Sequence, residues 1–192
     1  MRPAAILASL LLLFSPMAAS ATGEIESLIT DADRDRLAKF EAARMEGLAE
    51  ARKEGAAADI AVVDEMLARQ LLSFSGFSLT GNWQCRMIKL GGPAPLVIYS
   101  WFRCRVTDDG SGWRLEKISG SQRTVGRFFD ESDTSLTYLG SFFIDGDAPR
   151  AYGAGKDSDQ AGRALRDGKE RWRIEFPWPR YESKFDILEF RR

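Results

Sequence analysis

The stretch Asn82-Trp83-Gln84-Cys85-Arg86-Met87-Ile88-Lys89, then Leu90-Gly91-Gly92-Pro93-Ala94-Pro95, then Val97–Val106, decides the fold. Apolar side chains alternate with polar ones on both sides of a Gly/Pro cluster, which is the pattern of two half-buried strands joined by a turn. Folding the chain back at that cluster so that Cys85 faces Cys104 sets Trp83 opposite Val106 and Met87 opposite Phe102. All of these residues then lie on one face, as a side-chain period of two requires. The stretch therefore predicts a hairpin with an apolar face carrying a Cys85–Cys104 disulfide, with two buried free thiols as the alternative.

A second fold at Asp109-Gly110 sets Cys104 opposite Leu115, Val106 opposite Trp113 and Arg103 opposite Glu116. On the other face Arg86 and Arg103 become direct neighbours, and like charges so placed repel. Two readings follow. Glu116 resolves the repulsion as a structural ion pair, or Arg86 and Arg103, flanked by Trp101, hold an anion.

Ahead of this region, residues 1–21 have the parts of a secretory signal: Arg2, the apolar run Ile6–Phe14, and Ala19-Ser20-Ala21 as an A-x-A cleavage site. The apolar run is shorter than the roughly 20 residues that span a bilayer. Cleavage after Ala21 removes Arg2 and no acid, so the formal charge of −1 becomes −2. That balance gives no support to a nucleic-acid or membrane-surface role. The expected location is periplasmic or secreted, where a disulfide persists, with no membrane span after cleavage.

The mature chain changes character near residue 76. Residues 22–73 are rich in Ala, Glu and Arg, contain Phe40 as their single aromatic residue, and have no proline; all five tryptophans and all four tyrosines come later. Residues 22–76 are expected to form a helical hairpin arm. Its first helix starts at Thr30 or Asp31 and ends near Glu54 with Gly55 as a left-handed cap. The second runs over Asp59–Leu72, with Ile60, Val63, Leu67 and Leu71 as its apolar stripe. Residues 77–192 read as short strands: Asn82–Lys89, Val97–Val106, Trp113–Ile118, Ser121–Phe129, Ser135–Phe143, Ala161–Arg166, Glu170–Phe176 and Lys184–Phe190. The fold class is mainly β with an α-helical N-terminal arm. About eight antiparallel strands suit a closed barrel, because closure removes exposed edges; a β-sandwich is the alternative. Pro177-Trp178-Pro179 reads as a rigid crossover before the last strand, with Trp178 either plugging a barrel end or exposed for contact.

The chain has no histidine, which removes Ser-His-Asp and Cys-His catalysis and imidazole metal ligands. With both cysteines paired, thiolate chemistry is removed as well. The paired acids fall mostly in turns such as Asp108/Asp109 and Asp145/Asp147. Asp157-Ser158-Asp159 starts like a calcium loop but has Ala161 at its fifth position and Gly168 at its twelfth, where ligands are needed. The expectation is a protein without catalytic residues, metal or cofactor. Gly120-Ser121-Gln122-Arg123-Thr124 stands out instead. A strand here turns either Gln122 and Thr124 or Ser121 and Arg123 inward, and inward polar groups need partners from the protein, water or a ligand. Gln122, Arg123, Arg86, Arg103 and Trp101 are accordingly the candidate ligand-binding residues, with Arg123 placed first.

Gly81-Asn82-Trp83-Gln84-Cys85-Arg86, Ile88-Lys89-Leu90-Gly91-Gly92, Trp101-Phe102-Arg103-Cys104-Arg105, Gly120-Ser121-Gln122-Arg123-Thr124 and Glu175-Phe176-Pro177 together resemble an uncharacterised exported proteobacterial family, a domain of unknown function. More loosely, Gly81-x-Trp83 opening the first strand resembles the start of a lipocalin-like barrel. That resemblance implies that Trp83 packs across one barrel end against a basic residue of the last strand, for which Arg191 or Arg192 is placed. An exported barrel with one disulfide is also similar to the periplasmic metalloprotease inhibitors, whose inhibitory N-terminal segment has no counterpart here. The resulting expectation is a non-catalytic periplasmic binding protein for a small hydrophobic or amphipathic ligand. The alternative is a periplasmic protein-interaction or protease-inhibitor-like module with a protein partner.

Overall fold

The computed structural model describes residues 22–192; the expected export signal lies outside them. Four helices come first: α1 (Thr22–Leu28), α2 (Asp31–Ala38), α3 (Phe40–Glu54) and α4 (Ala57–Ala68). Nine strands follow: β1 (Gly81–Leu90), β2 (Leu96–Ile98), β3 (Phe102–Asp108), β4 (Trp113–Lys117), β5 (Gln122–Ser132), β6 (Ser135–Ile144), β7 (Asp159–Gly168), β8 (Arg171–Pro177) and β9 (Phe185–Arg191). Each pairs antiparallel with the next along β3 to β9, and β9 returns to β1 to close a barrel. Since β9 occupies one edge of β1 over Gln84–Leu90, β2 and β3 share the other edge in tandem. The barrel thus has eight staves, one of them broken.

That break separates expectation from observation. Where β1 advances by Arg86 and Met87, the facing chain advances by Tyr99, Ser100 and Trp101. One extra residue is a bulge, and it exchanges the faces of everything beyond it. Leu96 and Ile98 therefore turn outward, against the helices, while Phe102, Cys104 and Val106 turn inward. The registers are two residues from those expected. Trp83 faces Cys104 and Cys85 faces Phe102, so the disulfide joins a diagonal pair whose Cα atoms are 5.9 Å apart. On the other side of β3, Arg105 rather than Arg103 faces Glu116. Here the turn holds four residues, Asp109–Gly112, because the Asp108 and Asp109 carboxylates accept the Gly110 and Ser111 amides and build a longer loop. A slip of two keeps the face, which is why Trp83, Cys85, Cys104, Val106 and Leu115 are still buried together.

The expected first helix is interrupted at Lys39. Thr30 caps α2 by accepting the Asp33 amide. Gly55 is extended, at φ −75°, rather than left-handed. It is glycine for space: a Cβ there would stand 3.2 Å from both Ile60 and Leu96 and press on the Ala51 carbonyl. The α4 helix begins and ends earlier than expected; Leu71 lies outside it and is exposed, and Met66 joins Val63 as its fully buried contact. Pro177 ends β8 opposite Phe185, so residues 178–184 form a hairpin loop between neighbouring strands, not a crossover.

Three apolar clusters hold the molecule together. Inside the barrel, Trp83, Trp172, Phe190, Phe128, Tyr138 and Leu188 fill the lumen, and Phe74 and Leu79 from the α4–β1 connection close one end. Arg192 lies over Trp83 at that end, 3.8 Å from the ring centre. Outside, Phe40, Leu48, Val63 and Met66 cover Ile88, Leu90, Phe185 and Ile187. A third cluster sets Ile25 against Leu139 and Ala161.

Between helices and barrel wall lies a buried charge network. Arg173 donates to Glu175 (2.6 Å) and Asp167 (2.9 Å). Arg69 reaches Glu189 at 3.1 Å and Asp167 at 3.7 Å, and Arg44 lies 3.6 Å from Glu175. Arg86 also bonds Glu189, at 2.7 Å. The expected Arg86–Arg103–Glu116 cluster does not form: Arg86 is taken by Glu189, Glu116 pairs with Arg114, and the Arg103 side chain is exposed.

Two outcomes are expected. Replacing both cysteines by serine lowers the denaturant midpoint by the equivalent of about 3 kcal/mol, the loop-closure contribution for this separation, while far-ultraviolet circular dichroism stays unchanged. Arg173→Leu removes the nearest cation from Asp167 and Glu175, leaving them the more distant Arg69 and Arg44, and destabilises by about 3–5 kcal/mol in chemical denaturation.

Candidate functional site

The end of the barrel opposite Phe74 and Leu79 is polar. Along β1 the odd positions Trp83, Cys85 and Met87 face the lumen, and Lys89 continues the series. Leu115 is followed two residues later by Lys117, and Leu188 is preceded two residues earlier by Asp186. On β5, Gln122 and Thr124 face inward ahead of Phe128, and Gln160 enters from β7. These side chains line a cavity of about 50 Å³ with an apolar wall of Met87, Phe142, Phe176 and Pro177. Residues 178–184 border its opening through Pro179, Arg180 and Tyr181.

The floor is a hydrogen-bonded row. Thr124 Oγ1 donates to Gln160 Oε1 at 2.7 Å and meets the Tyr138 hydroxyl at the same distance. Burial raises the Tyr138 phenol well above its ordinary range, so it stays neutral. Tyr138 lies flat because Gly126 and Gly140 face each other beneath it; a Cβ on Gly126 would come within 2.6 Å of its ring.

Charges around the cavity are mostly matched. Lys89 donates to Gln122 Oε1 (3.2 Å) and Glu182 (2.5 Å), and this ammonium holds the Glu182 carboxyl below its usual value. Arg123 pairs with Asp145 at 2.8 Å and donates to the Gly120 carbonyl. Arg180 pairs with Asp157, and Arg36 with Asp33. Asp159, the other acid of the calcium-like stretch, accepts the Gly153 and Gly155 amides. Asp186 accepts from Ser183 Oγ at 2.5 Å. Burial nevertheless pushes its carboxyl up to about 7, against the pull of that bond and of Lys89. Lys117 is 5 % exposed. It donates to the Ser119 and Gln122 carbonyls and sits 4.2 Å from the Phe102 ring centre. Burial, and then the charge of Arg123, lowers it to about 8, so it remains an ammonium at neutral pH.

Of the residues singled out in the sequence, Gln122 and Arg123 come together here, Gln122 inside and Arg123 at the rim. Arg86 and Trp101 come together elsewhere, on the outer wall: the bulge swings Trp101 between Arg86 (4.6 Å) and Arg191 (4.0 Å). Arg103 joins neither group. Lys89, Lys117 and Asp186 were missed, although the signal was present as a charged residue at an inward position of an otherwise apolar strand.

Fold and site define a closed antiparallel barrel with one plugged end and one polar mouth. The chain belongs to a family of domains of unknown function, DUF4893, whose model matches residues 26–190. No curated protein and no solved structure matches it significantly.

The Asp186 carboxyl makes stability pH-dependent. Its folded value lies above the unfolded value near 4, so between the two the folded state holds a proton that the unfolded state has lost. The stability contributed by neutral Asp186 is complete below about pH 4 and disappears as pH rises to about 7. Asp186→Asn keeps the neutral form, and its melting temperature is expected to fall less than that of wild type across this interval. Parallel curves would remove Asp186 from the account.

Proposed function

We propose that this is a non-catalytic binding protein whose ligand, a small amphipathic molecule, sits in the mouth of the barrel. The observation that carries this reading is the cavity itself, where inward Gln122, Thr124, Gln160, Lys89 and Lys117 converge beside Met87, Phe142 and Phe176. Apolar walls with a few converging polar groups are the usual composition of a ligand site, and carboxyl and amine groups perturbed by burial concentrate at such sites. The lumen below is filled by aromatic side chains, so the ligand is a compact one held at the mouth. The contact of Arg192 with Trp83 supports a lipocalin-like reading of the barrel, and the Cys85–Cys104 disulfide supports export to an oxidising compartment, here the periplasm. A protein-interaction role through Trp178 or the helices has less support. Trp178 packs into the cluster under the helices, and the α3 and α4 apolar faces lie on the barrel.

A screen of amphipathic fragments by amide chemical shifts is expected to perturb Lys117, Gln122, Phe142 and Asp186 as a group. Gln122→Phe fills the cavity and is expected to abolish those shifts while the protein stays folded. Perturbations that cluster elsewhere, or that survive the substitution, would count against the mouth as the site.

A further inference from the structure

The cations of the mouth are not equivalent. Five line it: Arg36, Lys89, Lys117, Arg123 and Arg180. Four have a carboxylate of their own, namely Asp33, Glu182, Asp145 and Asp157. Among the described residues Lys117 has none; its bonds go to two backbone carbonyls. It is also one of the two most deeply buried of the five, at 5 % exposure. Asp186, the buried acid of the same cavity, bonds Ser183 Oγ and, among the described residues, is within ion-pair distance of no cation.

An ammonium withdrawn from water without a counter-charge is costly, and proteins ordinarily supply a partner or neutralise the group. Here the two carbonyls and the Phe102 face hold the charged form, and they satisfy two of its three N–H donors. The third donor and the net charge are left for something else.

Resting on the mouth being the ligand site, we infer that the ligand carries a carboxylate that binds Lys117 as its missing counter-ion, with its hydrocarbon part on Phe142, Phe176 and Pro177. Size agrees with this assignment. A cavity of about 50 Å³ holds a few water-sized atoms, since one water needs roughly 10–15 Å³ by this measure. It takes the three heavy atoms of a carboxylate, and the hydrocarbon chain runs from there along the apolar wall toward the opening beside Pro179 and Tyr181. The ligand class is thus a free organic monocarboxylate with a short apolar chain.

Hexanoate and its neutral counterpart 1-hexanol separate the two levels of the reading. Calorimetric titration near neutral pH is expected to give hexanoate a roughly tenfold or greater advantage, as a charge-assisted hydrogen bond provides. Lys117→Met is expected to erase that advantage and Lys117→Arg to retain most of it. Because Lys117 also ties the β4–β5 turn, the same question is put to the wild type through ¹⁵N-labelled lysine side chains. Hexanoate should move the Lys117 Nζ signal and hexanol should not. If both probes bind the mouth equally and the Lys117 signal is still, the carboxylate assignment fails while the mouth survives as a site. If neither probe perturbs the mouth, the proposed function fails with it.

Discussion

The arrangement of the whole molecule depends on one desolvated set of charges, the arginines and carboxylates between the helices and the barrel wall. Arg173, Glu175, Asp167 and Glu189 are all nearly inaccessible to water. They project from β7, β8 and β9 on the side of the wall that a free barrel would expose. Once covered, each must be matched, because an unpaired buried charge costs several kcal/mol. The match is completed by Arg44 from α3, Arg69 from just beyond α4 and Arg86 from β1. Apolar contacts alone would let the helices slide along the wall, since hydrophobic burial has no direction. Guanidinium and carboxylate groups accept far fewer geometries, so the network fixes where the helices sit.

This anchoring makes β1 and β9 two-faced. Met87, Leu188 and Phe190 serve the lumen while Ile88, Leu90, Phe185 and Ile187 serve the helix layer. With both faces occupied, the polar side chains of these strands either join the charge network, as Arg86 and Glu189 do, or lie toward the strand ends, and at the mouth Lys89 and Asp186 occupy that position. The other end needs none, because Phe74, Leu79 and Arg192 close it over Trp83.

Much of this was legible in the sequence. Strand alternation gave the barrel, the inward face and the disulfide, because a period of two survives small errors of register. Two things were hidden. The bulge at Tyr99–Trp101 adds a residue without disturbing composition, since aromatic residues suit a strand wherever they point; only the three-dimensional pairing shows that the faces exchange there. The second was the outer surface. Alternation marks Arg173, Glu175 and Glu189 as outward, and outward normally means solvated. A helix layer above them reverses that meaning, and their partners Arg44 and Arg69 lie more than a hundred residues away in the chain, beyond the reach of any local pattern. Lys89, Lys117 and Asp186 were different. Each breaks an apolar series at an inward position, and weighing that break more heavily than the polar run around Arg123 would have found them.

The row of Thr124, Gln160 and Tyr138 beneath the cavity has a consequence for how this barrel diversifies. Its height is set by Tyr138 lying flat on Gly126 and Gly140, neither of which lines the cavity. A side chain at either glycine would tip the ring and move the hydroxyl that props the floor. Pocket depth in this architecture is therefore inherited from two bare backbone positions on neighbouring strands. A change in the depth of the cavity would begin there, before any residue that lines it was replaced.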